Sequence, residues 1–167
     1  ALECGLDKVL SYDMGGTTAK ICLIDEGKPQ TSRTFEVDRQ YRFTKGSGLP
    51  LRIPVIEMVE IGAGGGSIAK IDNLNRIQVG PESAGSEPGP ACYDQGGEDA
   101  TVTDADVALG RIAPEGFAGG SMNLSPELSV GALERAIGQK LNLDGPLAAF
   151  AVSEMVEENM SNAARVH

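Results

Sequence analysis

The sequence predicts an α/β or α+β fold in which a mixed β-sheet, built from antiparallel hairpins, is flanked by helices. Short β-favouring segments fill residues 6–80, helical periodicity fills residues 103–167, and a loop rich in Gly and Pro separates them at 80–100. Strands followed by helices are typical of such mixed architectures. The length of 167 residues and the hydrophobic content of 41% predict a single domain, 1–167. Because the chain lacks an initiator Met, we interpret it as a fragment of a larger chain.

The first elements form a predicted antiparallel meander. Residues 8–12, 19–25 and 28–37 are rich in β-branched and aromatic residues, and glycine turns separate them. Residues 38–54 combine Gly and Pro with four cations, which predicts a basic surface loop or a short edge element. The cations are Arg39, Arg42, Lys45 and Arg52.

Three further segments complete the β-rich part. Residues 55–61 alternate apolar and acidic side chains as a strand does, and residues 68–72 and 76–79 read as a hairpin. Residues 80–97 hold too many Gly and Pro for a regular element. A long irregular segment inside a compact domain is usually disordered or functional.

Three helices are predicted after residue 100. Thr103 and Asp106 have the spacing of a capping box, which places a short helix at 103–111. Ser125 and Pro126 then give an N-cap and a first-turn proline, and apolar residues follow at helical spacing. The last helix opens at Gly145 and carries an apolar stripe from Ala148 to Ala163.

Composition excludes several function classes. The formal net charge of −10 repels the phosphate backbone of nucleic acids and anionic membranes, so we expect neither as a partner. Cys4, Cys22 and Cys92 form no zinc-binding or disulfide pattern, which predicts a reduced, cytoplasmic setting. His167 is the sole histidine, and no apolar run is long enough to span a membrane.

The segment DMGGTT at residues 13–18 is the main candidate site. It joins two strands, which excludes Walker A and dinucleotide-binding loops because their glycines open a helix. A hairpin tip of this kind can expose consecutive N–H groups as an anion-binding nest. We expect positive φ at Gly15 and Gly16, hydroxyl donors from Thr17 and Thr18, and Mg²⁺ at Asp13. The alternative is an ordinary tight turn with a local contact from Asp13.

Two further segments are candidate binding elements. GAGGGS at residues 62–67 interrupts two β-like segments, so we expect Gly64, Gly65 and Gly66 to allow close approach of a ligand rather than to form a flexible linker. The loop at 80–97 would shape the same cleft, with substrate contacts from Glu82, Ser83 and Ser86. Cys92 is expected to be buried and apolar, since a nucleophilic thiol needs a nearby base.

Acidic and polar residues of the helices have competing interpretations. Asp104 and Asp106 are expected to cap the first helix rather than to bind a metal, because carboxylates are stabilised by the positive end of the helix dipole. Asn159, Asn162 and Arg165 lie on the polar face of the last helix and could contact a segment outside this sequence.

Four motifs in this order resemble the hydantoinase A and 5-oxoprolinase family, which includes N-methylhydantoinase and the ATP-binding subunit of acetone carboxylase. They are YDMGGTTAKICLID, EIGAGGGSIAKID, VGPESAGSEPGPACYDQGG and TVTDADVALGRI. The likeness extends over nearly the whole chain, from about Leu6 to His167. The D-x-G-G-x-T pattern is also similar to a phosphate motif of the actin and Hsp70-like ATPases, so the resemblance implies one lobe of such a fold.

The resemblance implies an ATP- and Mg²⁺-dependent hydrolase that opens a cyclic amide of the hydantoin or 5-oxoproline type by phosphorylating the amide oxygen. Asp13 and Thr17 would be the catalytic residues, with Asp13 on the metal side. The phosphates would contact Gly15, Gly16, Thr17, Thr18 and Gly64–Gly66. Lys20 stands where many superfamily members carry a carboxylate, and it would either meet a phosphate or point outward.

The resemblance leaves two alternatives for the reaction. A ketone carboxylase of the acetone carboxylase type would use ATP to activate a ketone and bicarbonate, and a non-catalytic module would use the turn for folding alone. Expected partners are a small-molecule substrate, the remainder of the chain and a hydantoinase B-type subunit or domain. With one phosphate-type turn, the fragment alone is expected to be inactive.

Overall fold

A computed structural model of the chain describes residues 1–38, 40 and 46–166. Two compact units are present: Ala1–Asp13 with Lys20–Val59, and Met14–Ala19 with Glu60–His167. The predicted cations Arg39, Arg42 and Lys45 lie outside the described residues.

Short strands, preceded by a 3-10 helix at Leu2–Cys4, form most of the first unit. β1 (Val9–Met14), β2 (Ala19–Asp25) and β3 (Lys28–Pro29) are neighbours in that order in one sheet. Two antiparallel pairs follow, β4 (Thr31–Ser32) with β7 (Val55–Ile56) and β5 (Phe35–Val37) with β6 (Leu49–Leu51). The boundaries of β2 agree with the prediction, and β6 is the short edge element expected within 38–54.

Two segments were predicted as single strands, and this prediction is wrong because each is divided into shorter strands. The segment 28–37 is three strands, because β3, β4 and β5 each pair with a different partner and the chain turns between them. Thr34 also donates its backbone N–H to the Ser32 hydroxyl, a local bond that competes with a strand ladder. Likewise, 55–61 divides into β7 and β8 (Val59–Ile61).

The second unit contains a hairpin of β9 (Ser67–Ile71) and β10 (Ile77–Ser83). Its turn is fixed by Asp72, whose carboxylate accepts hydrogen bonds from the backbone N–H groups of Leu74 and Arg76. The prediction of an irregular segment from residue 80 is wrong at its start, because β10 continues to Ser83 after a register shift. A short 3-10 helix also occupies Ala91–Tyr93.

Helices pack behind this hairpin: α1 (Val102–Ala108), α2 (Pro126–Leu133), α3 (Gln139–Leu141) and α4 (Gly145–Val166). A π-helical segment, Glu134–Gly138, joins α2 to α3. The core between them contains fully buried Leu133, Ile137 and Val152. The predicted caps at Ser125 and Pro126 are confirmed. Within the described part of the chain, no helix has the length and apolarity that crossing a bilayer requires.

The predicted capping box of α1 is displaced by two residues. The Thr101 side chain accepts a hydrogen bond from the Asp104 N–H, and the Asp104 carboxylate accepts one from the Thr101 N–H. The helix therefore begins at Val102, before the predicted start. Both pairs, Thr101 with Asp104 and Thr103 with Asp106, have the sequence spacing of a box. The Thr103 N–H donates to the Gly65 carbonyl oxygen instead, so the box forms at the first pair.

Candidate functional site

The turn Gly15–Thr18 is an exposed hairpin tip between β1 and β2. The Gly15 N–H donates to the Thr18 carbonyl oxygen over 2.9 Å and closes the turn. Gly15, Gly16 and Thr17 are exposed, and Thr18 is half-buried. The expectation of positive φ at Gly15 and Gly16 is wrong, because neither is among the glycines with a left-handed backbone.

The glycine segment, Gly64–Gly66, holds this turn from one side. The Gly65 N–H donates to the Gly15 carbonyl oxygen over 2.9 Å, and the Gly66 N–H donates to the Gly16 carbonyl oxygen over 2.6 Å. The carbonyl groups of Gly15 and Gly16 therefore face the glycine segment.

The open donors of the turn face the opposite way. In a planar trans peptide, the carbonyl and the following N–H point in opposite directions. The Gly16 and Thr17 N–H groups share peptide planes with the two carbonyls bound by the glycine segment. They therefore point away from it. Among the described residues, no atom accepts a hydrogen bond from the N–H groups of Gly16, Thr17 or Thr18.

Close packing explains why residues 64–66 are glycines. A Cβ atom at Gly64 would lie 2.6 Å from the Gly15 carbonyl oxygen and 2.7 Å from the Thr17 nitrogen. At Gly65 it would lie 2.7 Å from the Thr103 hydroxyl, and at Gly66 it would lie 2.9 Å from the Ser83 hydroxyl. Side chains at these positions would push the turn or its neighbours away.

The glycine segment has no backbone donor left for a ligand. The Gly64 N–H donates to the Ser67 hydroxyl over 2.9 Å, and those of Gly65 and Gly66 bind the turn. The observed close approach of GAGGGS is to the turn, and the expected approach of a ligand to this segment stays a prediction. Ser67, which is fully buried, was missed as a site residue, and no local sequence signal distinguishes it.

Gly16 differs from these glycines. A Cβ atom there would meet no atom of the chain within 4 Å, and the backbone conformation is one that any residue adopts. Neither strain nor packing within the described residues requires glycine at position 16.

Asp13 and Lys20 flank the turn but belong to the first unit. Asp13 is exposed near the end of β1. Lys20 is exposed in β2, whereas Ala19 and Ile21 are fully buried, so Lys20 lies on the opposite face of the strand from its neighbours. Within the described residues, no cluster of three or more His, Cys, Asp or Glu side chains is placed to hold a metal ion.

The proposed substrate-contact residues lie along β10 and the loop after it. The Glu82 carboxylate forms an exposed ion pair with the Lys70 ammonium group at 2.8 Å. The Ser83 hydroxyl accepts a hydrogen bond from the Gly85 N–H, and Ser86 is exposed. The Ala84 N–H donates to the Gly66 carbonyl oxygen over 2.8 Å. This loop therefore contacts the glycine segment.

Asp104 organises the segment that carries Cys92. Its carboxylate is fully buried and accepts hydrogen bonds from the N–H groups of Ala91, Cys92 and Thr101 and from the Thr101 and Ser129 hydroxyls. Capping by Asp104 is confirmed, but its contacts beyond the helix were missed. The sequence predicted Asp104 only as a first-turn carboxylate, which does not identify partners outside the helix.

Cys92 is a core residue, as expected. It is fully buried, and burial, reinforced by the neighbouring Asp104 carboxylate, raises its thiol pKa to about 12. A thiol with this pKa is protonated at neutral pH and is a poor nucleophile.

The remaining polar candidates form ion pairs and hydrogen bonds on helices. Asp106 does not cap α1: it lies 3.5 Å from the Arg111 guanidinium, and burial raises its pKa. On α4, the Asn162 amide donates to Glu158 and the Arg165 guanidinium donates to Asn162. Asn159 is exposed on the same helix.

Comparisons with known proteins agree with this architecture. A family model described as hydantoinase/oxoprolinase matches residues 2–166. The chain is 38% identical to caprolactamase subunit alpha of Pseudomonas jessenii over 161 residues, covering 96% of this chain and 22% of that protein. It is 37% identical to the acetophenone carboxylase gamma subunit of Aromatoleum aromaticum over 164 residues, covering 98% of this chain and 21% of that protein.

Two solved structures are similar over 99% of this chain. Nucleotide-free acetone carboxylase gives a TM-score of 0.82 at 28% identity, with 22% of that chain covered. The ATP-dependent caprolactamase of P. jessenii gives a TM-score of 0.79 at 36% identity, with 23% of that chain covered. The chain thus spans between a fifth and a quarter of the length of these relatives.

Proposed function

We propose, from the premise that the chain belongs to the hydantoinase/oxoprolinase family, that it forms part of an ATP-dependent enzyme that activates a carbonyl or amide group. Membership confirms the resemblance of the four sequence motifs. Both similar solved structures are of ATP-dependent systems: one is a caprolactamase, and the other catalyses acetone carboxylation.

The open turn is the observation that carries the proposal. The N–H groups of Gly16, Thr17 and Thr18 have no acceptor among the described residues, and the turn is exposed. Consecutive backbone N–H groups stabilise bound anions through hydrogen bonds and partial positive charge. A phosphate group of ATP has the charge and the acceptors that such donors require, and it can enter over Gly16, where no side chain intervenes.

The side chains of the segment supply the remaining roles. The hydroxyl groups of Thr17 and Thr18 are further donors to phosphate oxygens, and Lys20 adds a cation on the strand that leaves the turn. Asp13, two residues before Gly15, would hold Mg²⁺, which usually binds one or two carboxylates, water and phosphate oxygens. A single exposed carboxylate fits that donor set. Bound Mg²⁺ would neutralise phosphate charge during phosphoryl transfer.

The reaction that we assign to the whole protein is hydrolysis of a cyclic amide. An unstrained cyclic amide resists water because its carbonyl is a poor electrophile and its nitrogen a poor leaving group. Transfer of the γ-phosphoryl group from ATP to the amide oxygen releases ADP. Water then adds to the activated carbon, the ring C–N bond breaks to free the amine, and inorganic phosphate leaves as the carboxylate forms. The role of the turn is to position the phosphates and stabilise their charge.

Ketone carboxylation is the second candidate. The similarity to the acetophenone carboxylase gamma subunit and to acetone carboxylase favours it. The same turn would serve both reactions, since each begins with activation of an oxygen atom by ATP.

The assay uses the full-length parent protein, with any partner subunit, Mg²⁺ and ATP. ADP release is measured with hydantoin, 5-oxoproline or caprolactam, and in parallel with acetone or acetophenone plus labelled bicarbonate. Ring-opened product with ADP supports the hydrolase, and incorporated label supports the carboxylase. Absence of ATP turnover with every substrate would overturn both.

The expected assembly and location follow the same premise. The two similar curated proteins are named as subunits, so we propose that this protein works with a hydantoinase B-type subunit or domain. Cys4, Cys22 and Cys92 are free thiols, which suits a reducing cytoplasm.

A further inference from the structure

We propose that the glycine segment, Gly64–Gly66, is a positioning element that fixes the peptide orientation of the phosphate turn. This inference rests on the proposed function and extends it to residues that need not touch ATP. It assigns the three glycines a role in setting which polar groups the turn presents.

Peptide orientation matters because each turn peptide carries a donor on one side and an acceptor on the other. If the Gly15–Gly16 or Gly16–Thr17 peptide rotated by half a turn, its carbonyl oxygen would point where its N–H now points. Glycine permits such rotation at low cost, since it occupies most backbone conformations readily. A carbonyl oxygen in that position would repel a phosphate oxygen instead of binding it.

The glycine segment opposes this rotation through two hydrogen bonds. Rotation would break the bonds from Gly65 to the Gly15 carbonyl and from Gly66 to the Gly16 carbonyl. It would also bring N–H groups of the turn against the N–H groups of Gly65 and Gly66. The observed orientation is therefore favoured before any ligand binds.

The glycine segment is itself held from behind. The Gly64 N–H is bound by the Ser67 hydroxyl. The Gly65 carbonyl accepts from the Thr103 N–H over 2.7 Å, and the Gly66 carbonyl accepts from the Ala84 N–H over 2.8 Å. The start of α1 and the loop after β10 thus support the turn through the three glycines.

The test compares Gly64→Ala with two control variants in the full-length protein. The Gly64→Ala Cβ atom would meet backbone atoms of Gly15 and Thr17 within 2.7 Å. Gly138→Ala would place its Cβ atom 2.7 Å from the Leu143 carbonyl oxygen, a similar clash that involves no turn atom. In Gly116→Ala, the nearest atom to the new Cβ is 3.9 Å away and φ is ordinary. This variant therefore measures the effect of a Gly-to-Ala substitution that causes no clash.

Steady-state kinetics and thermal unfolding are measured for each variant. We expect Gly64→Ala to raise KM for ATP at least about tenfold relative to Gly138→Ala, since misplaced donors weaken phosphate binding. KM for the carbonyl or amide substrate should stay within about twofold, because that group does not depend on the turn amides. Gly116→Ala should match the unaltered protein.

Ser67→Ala provides a second variant that introduces no clash. It removes the hydroxyl that binds the Gly64 N–H, and we expect KM for ATP to rise about threefold or more. If Gly64→Ala does not fold, the KM of Ser67→Ala for ATP alone tests the positioning role. Equal KM values for ATP in Ser67→Ala and the unaltered protein, or in Gly64→Ala and Gly138→Ala, would overturn the positioning role while leaving ATP use intact. An unaltered protein that neither binds nor hydrolyses ATP would overturn the proposed function as well.

Discussion

The Asp104 carboxylate accepts a hydrogen bond from the Cys92 backbone N–H over 2.8 Å, across a separation of 12 residues. Asp104 also binds Ala91, Thr101 and Ser129. One buried carboxylate therefore joins the 3-10 helix at Ala91–Tyr93, the start of α1 and the inner face of α2. In the loop after β10, Asp104 fixes the segment at Ala91 and Cys92.

Replacement of Asp104 should destabilise the fold strongly. In Asp104→Ala, the N–H groups of Ala91 and Cys92 lose their acceptor inside the core, where water does not replace it. We expect a loss of about 2–4 kcal/mol in the free energy of unfolding, measured by urea denaturation. Ser129→Ala, which removes one bond of 3.2 Å, is the matched control and should cost about 1 kcal/mol. Equal losses in the two variants would contradict the central role of Asp104.

The buried thiol gives a prediction for reactivity. Cys4 is exposed, whereas Cys22 and Cys92 are buried. At pH 8, a maleimide should therefore label Cys4 rapidly and Cys92 only after unfolding, as followed by mass spectrometry. Rapid labelling of Cys92 in the folded protein would contradict its burial.

The same thiol predicts a pH dependence of stability. The pKa of Cys92 is raised from 9.0 to about 12 in the folded chain, so between these values the unfolded chain releases a proton that the folded chain retains. Stability should fall as pH rises from 9 towards 12. Cys92→Ala should reduce this slope in urea denaturation measured at successive pH values, and an unchanged slope would contradict the assignment.

The sequence predicted local structure where the signal is local. The glycine turn, the boundaries of β2, the hairpin of β9 and β10, and the caps at Ser125 and Pro126 depend on a few adjacent residues. The division of 28–37 into three strands depends on partners distant in sequence, and no periodicity within the segment encodes those partners. The capping box of α1 was predicted two residues too late, because two pairs have the same spacing and the Thr103 N–H binds the Gly65 carbonyl oxygen, which is distant in sequence.

The candidate site shows the same limit. Exposure of the turn and its short glycine tip follow from DMGGTT. The direction of the turn's carbonyl groups does not follow from this segment. Hydrogen bonds from Gly65 and Gly66, about 50 residues away in the chain, set that direction. Glycine-rich composition predicts close approach, but it does not identify what approaches.

A side chain at position 16 should weaken ATP binding without weakening the fold. Gly16→Val introduces atoms where the chain leaves space within 4 Å and where φ is ordinary. We expect an unfolding free energy within about 0.5 kcal/mol of the unaltered protein and a KM for ATP raised at least about tenfold. Gly116→Val, also at an exposed glycine with ordinary φ, controls for the added side chain. A lowered stability with an unaltered KM would contradict the proposed role of Gly16.

Substitution of Asp13 distinguishes a catalytic role of the turn from a purely structural role. Its carboxylate is exposed, so Asp13→Ala should change the free energy of unfolding by no more than about 0.5 kcal/mol. If Asp13 holds Mg²⁺ beside the phosphates, ATP turnover by the full-length protein should fall at least about a hundredfold. Turnover is measured as ADP release over a range of Mg²⁺ concentrations.

The matched control for Asp13→Ala is Asp25→Ala, which removes an exposed carboxylate from the other end of the neighbouring strand β2. It has the same effect on net charge, so a general electrostatic contribution to ATP binding would appear in both variants. A loss confined to Asp13→Ala, with a higher Mg²⁺ requirement in Asp13→Asn, indicates metal binding at this position. Full turnover in Asp13→Ala would instead mean that the turn serves folding, and the donors at Gly16, Thr17 and Thr18 would then need another ligand.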